Sequence, residues 1–215
     1  MTQVTMTIDG KEVKAEEGMT LLQAAGEVGI EIPTLCYDER LAPYGACRLC
    51  SVEIVRGQRP RIVASCVYPV EEGLEVHTDS PRVARIRKVI LELLQARSPG
   101  LEEELAQRYG VEPARFEREP TFCILCGLCV RYCSEVKKAN ALAFVGRGIE
   151  RQVVFFPEIA RRECPTCREC FSICPTGVIP SDFALSIPRF EKLPTVFPVR
   201  LQDEQNLRTL REKIQ

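Results

Sequence analysis

Apolar and polar residues alternate at the start of the chain. Val4, Met6 and Ile8 are separated by Thr5 and Thr7, a period of two that predicts a β-strand. Asp9-Gly10 is a hairpin turn signal, and residues 11–15 supply the returning strand. The period then lengthens. Thr20 stands where a helix N-cap belongs, Gln23 completes a capping box, and Leu21, Leu22, Ala25 and Val28 make an apolar face. Gly29 is a suitable stop. Residues 51–55, 61–65 and 74–77 read as further short strands. Two strands, a helix and three more strands predict an α+β, β-grasp-like unit over residues 1–78.

The next stretch changes character. Ser80-Pro81 opens a helix, with serine at the cap and proline at the first position. Val83, Ile86, Ile90, Leu93 and Leu94 form its expected apolar stripe, and Ser98-Pro99-Gly100 ends it. Leu101, Leu105 and Tyr109 mark a shorter helix that stops at Gly110, and residues 111–121, with Pro113 and Pro120, read as a linker. Residues 79–121 are thus a helical connector. A further domain spans 122–182, with a helix expected over 134–141 and strands over 142–145 and 153–156. Gly146-Arg147-Gly148 between those strands invites a dinucleotide reading. Arg151 stands where the third glycine belongs and no strand-to-helix switch follows, so a turn is expected. Residues 183–215 form a tail with Pro188, Pro194 and Pro198, in which Leu207, Leu210 and Ile214 recur at helical spacing. That stripe fits a helix packed on its own domain or a docking arm for a partner.

Bulk composition narrows the field. The 215 residues are 45% hydrophobic, and 29 basic against 30 acidic side chains leave a net charge of −1. Nothing in that balance suggests nucleic acid. The first ten residues lack the cationic start and apolar core of an export signal, and no apolar run approaches the ~20 residues of a membrane span. A cytoplasmic protein without a membrane span is expected.

Cysteine carries the chemistry. The chain has 12, in three groups of four. Cys123, Cys126, Cys129 and Cys133 are spaced C-x2-C-x2-C-x3-C, and Cys164, Cys167, Cys170 and Cys174 repeat that spacing, with Pro175 following. This is the bacterial pattern for two 4Fe-4S clusters, in which the fourth cysteine of each run serves the other run's cluster. One cluster is therefore assigned to Cys123, Cys126, Cys129 and Cys174, and the second to Cys164, Cys167, Cys170 and Cys133. Structural zinc also takes four cysteines, but two C-x2-C pairs suffice for it, and the third step and the x3 spacing go unexplained. A disulfide framework would need an oxidising compartment. Cys36, Cys47, Cys50 and Cys66 form the remaining group, with spacing C-x10-C-x2-C-x15-C. Four thiolates suit a 2Fe-2S cluster, two per iron, and zinc remains the alternative for this group. His77, the one histidine, has no neighbouring ligands in sequence and reads as a surface residue. No catalytic residue stands out, because no P-loop or complete dinucleotide fingerprint is present and every thiol falls in a cluster group.

Three words of the first unit carry a resemblance: Met19-Thr20-Leu21-Leu22, Ile32-Pro33-Thr34-Leu35-Cys36 and Gly45-Ala46-Cys47-Arg48-Leu49-Cys50. They resemble the 2Fe-2S domain of the complex I large iron–sulfur subunit and of iron-only and NAD-linked hydrogenases. The diaphorase iron–sulfur subunit of NAD-linked hydrogenases is nearest in layout. The resemblance implies an N-terminal 2Fe-2S domain, a connector and a double 4Fe-4S domain acting as an electron wire in a hetero-oligomer. The implied partners are a flavoprotein subunit oxidising NAD(P)H and a second catalytic redox subunit. It also makes a demand that this chain does not meet. Those relatives commonly hold a further 4Fe-4S cluster with one histidine and three cysteines, yet residues 78–122 contain neither residue type. That cluster is expected to be absent, with the 101–110 helix in its place. Three readings compete: a succinate dehydrogenase or fumarate reductase iron–sulfur subunit, whose 2Fe-2S spacing is plant-like; a zinc-stabilised scaffold; and a reductase that itself binds NAD(P)H.

Overall fold

The computed structural model describes residues 2–57, 59–112, 115–117 and 121–179; the tail's proline-rich stretch and its Leu207, Leu210 and Ile214 stripe lie outside them. The chain divides into two units. Of the described residues, the first takes those within 2–37 and 43–117, the second those within 38–42 and 121–179.

In the first unit, β1 (Gln3–Ile8) and β2 (Lys11–Glu16) pair antiparallel as the alternation predicts. Asp9 at φ 49° and Gly10 at φ 79° both adopt the left-handed backbone that a two-residue hairpin turn demands. The helix α1 (Leu21–Glu27) starts at Thr20, whose side chain accepts from the Gln23 N–H at 3.3 Å while Gln23 Oε1 accepts from the Thr20 N–H at 2.9 Å. Its buried face is Leu21, Ala24 and Ala25; Val28 is the exposed C-cap, not part of the core. Three more strands follow: β3 (Ser51–Arg56), β4 (Arg59–Ala64) and β5 (Glu75–His77). The sheet order is β2-β1-β5-β3-β4, with β1 and β5 parallel at its centre and the other pairs antiparallel. Met6, Ile8, Val13, Leu21, Val52, Ile54 and Val76 build the core between sheet and α1.

The connector departs from its expected pattern. Ser80 caps α2 (Pro81–Arg97), accepting from the Val83 N–H while its hydroxyl donates to Glu53 Oε2 at 2.6 Å. The buried positions are Val83, Arg87, Leu91 and Glu92, whereas Leu93 is 50% exposed. Two charged side chains thus take places that periodicity assigns to apolar ones. Each has partners: Glu92 is 2.7 Å from Arg115, and Arg87 makes three hydrogen bonds described below. A short α3 (Glu103–Arg108) follows and ends at Gly110, φ 62°.

In the second unit, the helix expected over 134–141 lies earlier. α4 (Leu128–Arg131) runs into a π-helical turn, Tyr132–Val136, and left-handed Lys138 and Asn140 end it. The chain closes around Cys133, whose carbonyl accepts from the Ala139 N–H at 2.9 Å and whose Sγ accepts from the Ala141 N–H at 3.1 Å. Hydrogen bonds to that cysteine outweigh the helical run. β6 (Leu142–Val145) and β7 (Gln152–Phe155) form the expected hairpin. α5 (Pro157–Cys167) and α6 (Glu169–Ser172) are additional to the expected elements; Pro157 sits at the first helical position of α5. Residues Asp38–Ala42 belong here: Leu41 packs on Leu128 and Tyr132, and Arg131 Nη2 donates to the Ala42 carbonyl at 2.8 Å. Among the described residues, no helix is long and apolar enough to cross a membrane.

The turn between β6 and β7 separates two glycines that look alike in sequence. A Cβ on Gly146, φ 70°, would lie 2.5 Å from the Glu150 carbonyl oxygen, while one on Gly148, φ 57°, would meet nothing within 4 Å. Gly148→Ala is expected to cost about 1 kcal/mol from backbone strain alone, and Gly146→Ala roughly 2–4 kcal/mol from strain plus overpacking. Chemical denaturation of the two variants checks that order.

Candidate metal centres

The first group assembles at one end of the sheet. Cys36 follows the extended stretch after α1, Cys47 and Cys50 lie on the turn into β3, and Cys66 follows β4. The turn is tight, with Gly45 at φ 70° and Arg48 at φ 63°. Gly45 also faces Val67, which a Cβ would approach to 3.4 Å. The thiols associate in two pairs. The Cys47 N–H donates to Cys36 Sγ at 3.3 Å, and the Sγ atoms of Cys50 and Cys66 share a hydrogen bond at 3.3 Å. Within each pair one thiol yields its proton more readily at the other's expense. Cys47 is drawn down to about 6 by its hydrogen bond with Cys36, and Cys50 to about 7 by its bond with Cys66. Cys36 and Cys66 are pushed up by those same bonds and then by burial. Backbone support comes from both sides. Ser65 Oγ donates to the Cys50 carbonyl at 2.9 Å. Arg87 on α2 donates from Nε to the Leu49 carbonyl at 3.1 Å and from Nη2 to the Ser51 carbonyl at 2.9 Å.

In the second unit, one cavity is lined by Cys133 from the π-helical turn and by Cys164, Cys167 and Cys170. These are the four cysteines assigned together by spacing. Burial pushes Cys164 up to about 11 and Cys170 to about 12; the neighbouring Cys133 and Cys167 add to the rise at Cys164, and Cys164, Cys133 and Cys167 add to it at Cys170. Cys129 is raised by burial and then by Cys126, Cys123 and Cys174, its expected companions, with Cys170 beyond them. Mutual repulsion among buried thiolates is what bound iron would neutralise. Among the described residues, no three His, Cys, Asp or Glu side chains converge on one point as a single metal ion requires. A cluster asks for something else, four thiols spread around a core of iron and sulfide. His77 stands apart, its Nε2 3.2 Å from Glu75 Oε1.

Polar side chains around the second cavity gave no signal in the sequence. Tyr132 and Lys137 line it with the cysteines. The Tyr132 hydroxyl donates to Glu169 Oε2 at 3.2 Å and accepts from Arg40 Nη1 at 3.2 Å, and Lys137 Nζ donates to Glu169 Oε1 at 3.1 Å. Arg40 is itself held by both oxygens of Asp38. Glu169, between Cys167 and Cys170, therefore faces this network instead of solvent alone. Nothing in residues 36–47 announces it, because Arg40 lies far from Tyr132 in sequence.

Fold and thiol grouping together define an iron–sulfur protein with a sheet-based first unit and a cysteine-rich second one. Family models agree: residues 1–81 match a 2Fe-2S iron-sulfur cluster binding domain, and residues 122–178 match a 4Fe-4S dicluster domain. The NADPH-Fe(3+) oxidoreductase subunit alpha of Geobacter sulfurreducens is 35% identical over 203 residues, covering 82% of this chain and 24% of that protein. The mitochondrial NADH-ubiquinone oxidoreductase 78 kDa subunit of Candida albicans is 31% identical over 210 residues, covering 84% of this chain and 29% of its own length. Among solved structures, an NAD+-reducing [NiFe]-hydrogenase matches with TM-score 0.62 and 32% identity over 71% of this chain and 74% of that one. The chain belongs to the family of iron–sulfur subunits found in NAD(P)H-linked hydrogenases and NADH-quinone oxidoreductases. It spans about a quarter of the length of the curated relatives it matches first.

The Tyr132 network gives a direct expectation. Tyr132 is buried, so Tyr132→Phe strands Arg40 and Glu169 with one partner fewer each. The cost is expected at about 1 kcal/mol, seen as a lower denaturation midpoint.

Proposed function

We propose that this chain is an electron-transfer subunit of a multi-subunit NAD(P)H-linked oxidoreductase, such as a hydrogenase or formate dehydrogenase. The observation that carries the reading is the spacing of the 12 cysteines in three groups of four, two of which repeat one pattern, beside the matches to a 2Fe-2S domain and a 4Fe-4S dicluster domain. The first unit would be a β-grasp, which the parallel β1–β5 pair between two antiparallel hairpins supports. Its Cys36 and Cys47 would hold one iron of a 2Fe-2S cluster and Cys50 and Cys66 the other, as the two thiol pairs suggest. Cys123, Cys126, Cys129 and Cys174 would hold one 4Fe-4S cluster, and Cys164, Cys167, Cys170 and Cys133 the other. Once bound, such clusters take up and release single electrons with little movement of their ligands.

The chain's own residues then have clear tasks. They hold thiolates in place, shield them, and set the charge around each site. No substrate site is assigned here. The partners would be a flavoprotein subunit that handles NAD(P)H and a second catalytic redox subunit; the names of the relatives above speak of subunits and of NADPH- and NAD+-linked enzymes.

Anaerobically purified protein is expected to contain about ten irons with matching acid-labile sulfide, from one 2Fe-2S and two 4Fe-4S clusters. Zinc without sulfide would end the electron-transfer reading. The crossed ligation has its own test. Cys133→Ala and Cys174→Ala should each lose one 4Fe-4S signal by electron paramagnetic resonance, and not the same one. Cys133→Ala should lose the same signal as Cys167→Ala, and Cys174→Ala the same signal as Cys126→Ala; a Cys133→Ala variant that shares its loss with Cys126→Ala would mean that each run closes its own cluster.

A further inference from the structure

α2 buries an arginine one turn from Val83 and one turn from Leu91, on the face that packs against β3. Arg87 is only 2% exposed. A buried guanidinium is costly unless its donors are met. Here Nε reaches the Leu49 carbonyl at 3.1 Å, Nη2 the Ser51 carbonyl at 2.9 Å, and Nη1 the Tyr109 hydroxyl at 2.7 Å. Two of those three acceptors flank Cys50. Among the described residues, the carboxylate paired with it is Asp79, 3.8 Å away and 43% exposed. It is also engaged by Arg108 Nη2 at 2.6 Å and by the Tyr109 hydroxyl at 3.0 Å. The positive charge of Arg87 is therefore only partly compensated, and it is fixed against the turn that bears Cys47 and Cys50.

We infer that Arg87 is a positioning residue for the first site and a fixed cation that raises its reduction potential. The inference rests on the reading that this site holds a 2Fe-2S cluster. Two physical effects combine. A peptide unit is planar and trans, so holding the Leu49 carbonyl also fixes the direction of the Cys50 N–H on the opposite side. The turn needs such support, since Arg48 within it is held in the left-handed region at φ 63°. The second effect is electrostatic. Reduction adds one negative charge to the cluster, and a buried cation nearby stabilises the reduced form more than the oxidised one. The connector thus serves the first site through one side chain. A merely structural pin between α2 and β3 would affect stability and leave the potential alone.

Redox titration of the whole iron-loaded chain, followed by electron paramagnetic resonance, separates these roles. Arg87→Gln is expected to move the 2Fe-2S midpoint to a more negative value, by more than either 4Fe-4S midpoint moves. Asp79→Asn, which removes the partial counter-charge and leaves Arg87 in place, is expected to move it the opposite way. Arg87→Lys keeps the charge without the planar fork. It should return the midpoint toward that of the unmodified protein while altering the shape of the 2Fe-2S signal. An unmoved 2Fe-2S midpoint in iron-loaded variants overturns the inference, as does an equal shift of all three centres. Should Arg87→Gln fail to assemble its first cluster, the partly exposed Asp79→Asn decides by the sign of its shift. A chain without iron and sulfide would instead defeat the reading on which this rests.

Discussion

Buried cysteines crowded together resist losing their protons, and that resistance constrains the sites. Cys164 and Cys170 are pushed up to about 11 and 12 by burial and by neighbouring thiolates, and Cys129 is raised in the same way. Such a group is stable with its protons on or with a cation among the sulfurs. In the first unit the strain is relieved locally, by hydrogen bonds within the Cys36–Cys47 and Cys50–Cys66 pairs. The backbone around each group is shaped accordingly. Left-handed Arg48, Leu125, Gly127 and Arg168 all lie between or beside cysteines, where ordinary helix or strand would carry the sulfurs apart.

Charge around the sites is the other half of the arrangement. Arg87 is set against the Cys50 turn from α2, while Arg40, Lys137 and Glu169 surround Tyr132 beside the second cavity. The two environments differ. One is a buried cation with a distant carboxylate; the other is a chain of paired charges, partly open to solvent. Centres in such surroundings have no reason to share a potential.

Much of this was legible beforehand. The β1–β2 hairpin, the Thr20 cap, the Ser80 cap and the β6–β7 hairpin all follow from local rules, because turns and caps are short-range hydrogen-bonding problems. Cysteine spacing is a local signal of the same kind, since it is read along a few residues of one loop. The missed elements fail for a different cause. The helix expected over 134–141 is replaced by a π-helical turn because hydrogen bonds to the Cys133 carbonyl and Sγ take over the backbone there. The buried face of α2 departs from the apolar stripe because Arg87 and Glu92 occupy buried places, with partners far away in sequence.

Sequence alone therefore determined the hairpins and helix caps named above and the spacing of the cysteines. Those depend on residues within a few positions of one another, or on a spacing repeated twice. Tertiary structure decided which side chains set the charge around the thiols. Arg87 meets Leu49 and Ser51, and Arg40 meets Tyr132, only once distant segments are packed together. No periodicity marks such pairs, because a guanidinium is tolerated in the interior solely where folding delivers the carbonyls and hydroxyls that replace its water.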